Sequence, residues 1–165
     1  MDSGTTIIGL MFLLFCVIIF MVMISNNRKK EKKLLQSLEN MAKENKCKIV
    51  QFDIWNNSVI GIDDATSVLF AIRNAKEESI SSQIDLSEMK SCRVEKTNRV
   101  TDDNDFKEIE KLELVFTHKD KTIPDIFLHF YNREYDTGSL SGELQLIEKW
   151  NTIANNTIRI LSINK

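Results

Sequence analysis

The sequence predicts an α+β protein: an N-terminal transmembrane helix, seven short antiparallel strands, and one C-terminal helix. Three observations carry this reading. Residues 7–24 (IIGLMFLLFCVIIFMVMI) contain no charged side chain. From residue 50 to residue 131 apolar residues recur with a period of two, the pattern of half-buried strands. From residue 140 onward they recur every three or four, the pattern of an amphipathic helix.

The apolar run comes first. At a rise of about 1.5 Å per residue it makes roughly 27 Å of helix, close to one hydrocarbon thickness. Thirteen of its residues are Ile, Leu, Phe or Val. Each favours insertion by roughly 0.3 to 0.6 kcal/mol near the helix centre, so together they contribute about 4 to 8 kcal/mol. The flanks are unequal. Asp2 is the sole charge before the run, whereas Arg28, Lys29, Lys30, Lys32 and Lys33 crowd after it. Basic residues beside a span stay on the cytoplasmic side. The expected arrangement is single-pass in the cell (inner) membrane, with the N-terminus outside and the C-terminal domain in the cytosol. A cleaved signal peptide would need its basic residues before the run and a small-residue cleavage site after it, and neither is present. Cys16 lies mid-run between Phe15 and Val17 and reads as a buried apolar thiol.

The basic cluster is the one set of candidate site residues. Arg28, Lys29, Lys30, Lys32 and Lys33 suffice as a stop-transfer signal. They also suit anionic lipid headgroups, at about 1 kcal/mol per basic residue near the surface. Leu34, Leu35, Leu38, Met41 and Ala42 follow on one helical face. This segment can continue the membrane helix as a stalk, pack on the domain, or pair with a second copy. The expected organisation is residues 1–25 as tail and span, 26–46 as basic segment and stalk, and 47–165 as the cytosolic domain.

The strands follow in order. Val50, Phe52 and Ile54 mark the first, and Asn56-Asn57-Ser58 a turn. Residues 59–62 form the second, ended by Asp63-Asp64. Val68, Phe70 and Ile72 mark the third; Ile80, Ile84 and Leu86 the fourth; Cys92 and Val94 the fifth. Residues 96–107 (KTNRVTDDNDFK) read as a long exposed loop. Leu112, Leu114 and Phe116 mark the sixth strand. Ile126, Leu128 and Phe130 mark the seventh, alternating with Phe127, His129 and Tyr131. Leu140, Leu144, Ile147, Trp150, Ala154, Ile158 and Leu161 then form a single helical stripe, capped by Ser139 or Ser141. Such a helix is a natural plug for an open barrel or two stacked sheets.

Seven strands from Ile49 to Tyr131 and a terminal helix with an inward Trp150 (ELQLIEKWNTI) resemble the pleckstrin-homology-like superfold. The whole chain is similar to uncharacterised bacterial single-pass membrane proteins carrying such a domain. The resemblance implies a barrel or sandwich closed by the helix. Members that bind phosphoinositides use basic residues near the first two strands, where this chain has Asp53, Asp63 and Asp64.

Composition excludes several classes. Of 22 basic and 24 acidic residues, five basic ones lie between positions 28 and 33, and two acids, Asp2 and Glu31, precede Leu34. The remainder carries a net charge of about −5, unsuited to nucleic acid, whose affinity comes from basic patches. Cys47 and Cys92 are expected as free thiols in a reducing compartment. His118 and His129 lack partners at zinc-like spacing. Asp102, Asp103 and Asp105 lack the glycine turn and downstream glutamate of a calcium loop. No catalytic, cofactor-binding or metal site is expected. Phe127 and Tyr131 share the strand face opposite Leu128. Their size favours cover by the other sheet, and the alternative is an exposed aromatic strip for a partner. The expected function is a non-catalytic interaction module tethered to the bilayer, with an unidentified protein partner. The alternative is a sensor of anionic lipid surfaces.

Overall fold

The computed structural model describes residues 3–75, 78–100, 107–136 and 140–163; within these, the side chains of 3–10, 20, 22–24, 26, 75, 78, 100 and 107 lie outside the description. Helix α1 (Ser3–Glu44) is followed by strands β1 (Gln51–Trp55), β2 (Ser58–Asp63), β3 (Val68–Ala75), β4 (Glu78–Asp85), β5 (Met89–Val100), β6 (Lys107–His118) and β7 (Ile126–Asn132), then helix α2 (Glu143–Ile163). The strands form two antiparallel meanders, β1-β2-β3-β4 and β5-β6-β7. Neither sheet closes on itself into a barrel.

The principal core lies between the sheets and beneath α2. Ile60, Ile62, Leu69 and Ile84 face inward from the first sheet, Leu112, Leu114, Phe116 and Leu128 from the second. Ile147, Trp150, Ala154 and Ile158 project from α2 at spacings of three and four and complete the core. Burying side chains of this size stabilises the fold by about 1.5 to 3 kcal/mol each. Trp55 stacks on Phe130 at 4.6 Å between ring centroids. Its Nε1 donates to the Phe130 carbonyl, joining the end of β1 to β7.

A second core lies on the outer face of the first sheet. Leu34, Leu38 and Ala42 of α1 and Cys47 beyond it pack against Val59, Val68, Phe70 and Ile72. Close approach is possible because Gly61 of β2 has no side chain. A Cβ there would sit 2.9 Å from Leu38 Cδ2 and Ile49 Cγ2 and 3.1 Å from the Gln51 carbonyl. The helix stops by a left-handed turn at Lys46 (φ 58°). Cys47 N donates to Ala42 O and Lys46 N to Lys43 O, so the last carbonyls are satisfied.

No helix among the described residues is long and apolar enough to cross a membrane. The run 7–24, expected to span, falls in part on side chains outside the description. Residues 11–19 of it are exposed throughout, Phe12 at 71%. Helix α1 runs unbroken from the apolar run through the basic segment into the second core.

Three expectations are corrected. The loop 96–107 is shorter, because β5 runs to Val100 and β6 starts at Lys107. Residues 101–106, with Asp102, Asp103 and Asp105, lie outside the described residues. These strand arms extend past the core and so carry no apolar alternation. Tyr131 does not share the face of Phe127. A register shift in the β6–β7 ladder pairs Leu112 with Tyr131 and Glu113 with His129, skipping Phe130. That extra residue turns Tyr131 inward, to 5% exposure, whereas Phe127 remains 49% exposed. No strip of two aromatics forms. Among the described residues no serine hydroxyl caps helix α2. Ser139 lies outside the described residues, and the capping position is taken by Gly142 (φ 100°), whose carbonyl accepts from Leu146 N. The left-handed backbone there suits glycine. Glu143 then reaches back to Ser141 N, placing a carboxylate at the positive end of the helix dipole.

Candidate functional site: a basic cleft between helix and sheet

The basic cluster is divided by the pitch of α1. Lys30, Lys33, Leu34 and Ser37 recur at three and four and face the sheet. Arg28, Lys29 and Lys32 recur with Met21 and Ser25 on the opposite side and line a shallow groove along the helix. Ladder alternation supplies the other wall. Ile72 pairs with Ser81, and Asn74 with Ser79, across β3 and β4. All four side chains therefore point outward, towards α1. Asn57 closes one end, its carbonyl accepting from Asn74 N at 2.9 Å. The result is a cleft of about 380 Å³, open to solvent, with Leu34 and Ile72 as its apolar floor. No carboxylate among the described residues lines it. Among the described residues neither Lys30 nor Lys33 makes an ion pair or hydrogen bond.

The other polar groups are engaged in holding the fold. Asp53 Oδ2 accepts from Trp150 Nε1 at 2.9 Å and from Lys149 Nζ at 2.5 Å, fixing α2 to β1. Buried Arg73 meets Asp136 at 2.7 Å, and the same Asp136 oxygen accepts from Asn132 N. Buried Glu143 accepts from Asn56 Nδ2. Asp63 accepts from the backbone N–H groups of Lys48, Ala65 and Thr66, with the Lys48 bond foremost in holding its carboxyl below the usual carboxylate range; burial opposes this.

Asn155 of α2 addresses the free edge of β5. Its Oδ1 accepts from Cys92 N at 3.1 Å, and its Nδ2 donates to Cys92 O at 2.8 Å. Burial pushes the Cys92 thiol up to about 12, so it is unreactive at neutral pH. Cys47 is buried beside Thr66 Oγ1. Cys16 is exposed on α1.

The histidines are placed by ordinary partners. His118 Nδ1 accepts from Asp120 N, and its Nε2 lies 3.5 Å from Glu88. His129 Nδ1 lies 2.6 Å from Glu113 Oε1. Among the described residues no group of His, Cys, Asp and Glu is arranged to hold a metal ion.

Sequence reasoning found the basic cluster but not its partition. Asn57, Asn74, Ser79 and Ser81 were invisible as site residues because small polar side chains on an outer sheet face look like solvated surface. Only the docking of α1 gives them something to face. No family model, no curated protein and no solved structure matches the chain.

Proposed function

We propose that the protein is a single-pass membrane protein whose β domain, of pleckstrin-homology-like architecture, is a non-catalytic interaction module held against the cytosolic side of the inner membrane. The observation that carries this reading is the single helix α1. Its exposed apolar stretch has no cover within the chain, and its last turns are built into the second core. Exposed Leu, Phe, Ile and Val side chains in an unbroken row are unfavourable in water and favourable in hydrocarbon. The basic residues at 28–33 follow at the depth of the headgroups and fix the orientation. The 4+3 arrangement of strands and the covering helix support the resemblance in architecture.

The test uses the full chain in a bacterial cell. After alkaline carbonate washing it stays with the membrane pellet, and a reporter fused at the C-terminus is active only in the cytosol. Release into the carbonate supernatant, or a reporter active only outside, overturns the reading.

A second reading, recognition of an anionic surface, is favoured by the cleft holding Lys30 and Lys33.

A further inference from the structure

We infer that the cleft between α1 and the outer face of β3–β4 is a binding site for a phosphate group, with Lys30 and Lys33 supplying the charge and Ser79 and Ser81 supplying hydroxyl donors. This deepens the anionic-surface reading and rests on the membrane reading only for where the phosphate comes from.

Four observations converge. Two ammonium groups one helical turn apart share one small volume, and among the described residues no acid neutralises either. The chain as a whole is acidic, with 24 acids against 22 basic residues, yet among the described residues no carboxylate lines the cleft. The facing wall offers hydroxyl and carboxamide donors set by strand register rather than by loop position. Ammonium-to-phosphate hydrogen bonds are charge-assisted, roughly twice as strong as neutral ones, and lysine serves phosphate well as a point charge.

Position adds the fourth. Lys30 and Lys33 lie six and nine residues beyond Ile24, the end of the apolar run. Along a helix that is about 9 to 14 Å. The polar layer of a bilayer is about 5 to 8 Å deep on each side. The long lysine stems reach back over the difference while their heads stay polar. A lipid headgroup standing above its neighbours, or a phosphate dissolved at the surface, arrives at the mouth of the cleft. Both present the same oxygens.

The experiment takes the full chain in zwitterionic detergent micelles and follows the backbone amide resonances of Ser79 and Ser81. One arm titrates inorganic phosphate; the other titrates short-chain phosphatidylglycerol. Saturation in the first arm identifies a free phosphate as sufficient, and saturation only in the second identifies a lipid headgroup. Three variants separate a built site from general attraction. Lys30→Gln/Lys33→Gln is expected to weaken binding by about tenfold or more, and Ser79→Ala/Ser81→Ala by about three- to tenfold. Lys29→Gln/Lys32→Gln removes the same charge from the far side of the helix and is expected to change it by less than about twofold. All six positions are exposed, and thermal melts verify that the fold is kept. Equal loss from both lysine pairs with a silent serine variant overturns the site in favour of diffuse charge attraction. The absence of any shift in either arm overturns it outright. Neither result bears on the tether, whose failure appears separately as release into carbonate.

Discussion

The carboxamide of Asn155 stands in for a neighbouring strand. By donating to and accepting from the Cys92 peptide group, it satisfies the free edge of β5 and ties α2 to the second sheet with one side chain. Asn155→Ala leaves both backbone groups without their partner and is expected to cost about 1 to 3 kcal/mol, read from denaturant midpoints of the full chain. Asp63 works differently, because its contribution is ionic. Its carboxyl is held below the ordinary value of 3.8 in the folded state. A depressed folded value stabilises the protein at every pH above the unfolded value, and the contribution is lost as pH falls through the folded one. Asp63→Asn should therefore destabilise the protein at pH 7, with the difference from wild type shrinking as the pH drops below about 4. Thermal melts at graded pH measure this, and a gap that persists undiminished at pH 2 would refute the assignment.

At the level of elements, the seam between α1 and β2 depends on the missing side chain at Gly61. Gly61→Ala would drive a methyl group against Leu38, Ile49 and the Gln51 carbonyl at about 3 Å. Overpacking of that kind typically costs about 1 to 3 kcal/mol. The effect should be local: hydrogen exchange of residues 34–44 speeds up, whereas that of β6 does not. Uniform acceleration would instead mean that the helix and the domain unfold as one unit.

Six of the strands and α2 could be read from apolar spacing, since periods of two and three to four are imposed by burial itself; β2, buried at every position, and the N-terminal part of α1 read instead as continuous apolar runs. Three features could not. The β6–β7 bulge inserts one residue, and strict alternation then misplaces Tyr131 without any compositional sign. The arms of β5 and β6 run beyond the core, so backbone pairing continues where the side chains carry no pattern. The docking of α1 was one of three options for residues 34–42, and only the apolar outer face made by Val59, Val68, Phe70 and Ile72 decides it. Those same four residues read as ordinary inward strand positions when the second core is unknown.

At the level of the whole molecule, the exposed apolar stretch and the β domain share one helix, with no Gly or Pro between residues 10 and 60. Such a helix bends little. On the membrane reading proposed above, it would act as a ruler, setting the altitude of the β domain above the bilayer. Lengthening it by two turns, with seven helix-forming residues inserted after Asn26, preserves the face presented to the sheet and raises the domain by about 10 Å. A fluorophore at Ser79 should then lose quenching by spin-labelled headgroups while the protein remains in the membrane pellet. Function that depends on height would fail while every fold contact survived. On that reading, natural change in this stretch is expected to come as substitutions, because even a short insertion would move the whole domain away from the bilayer.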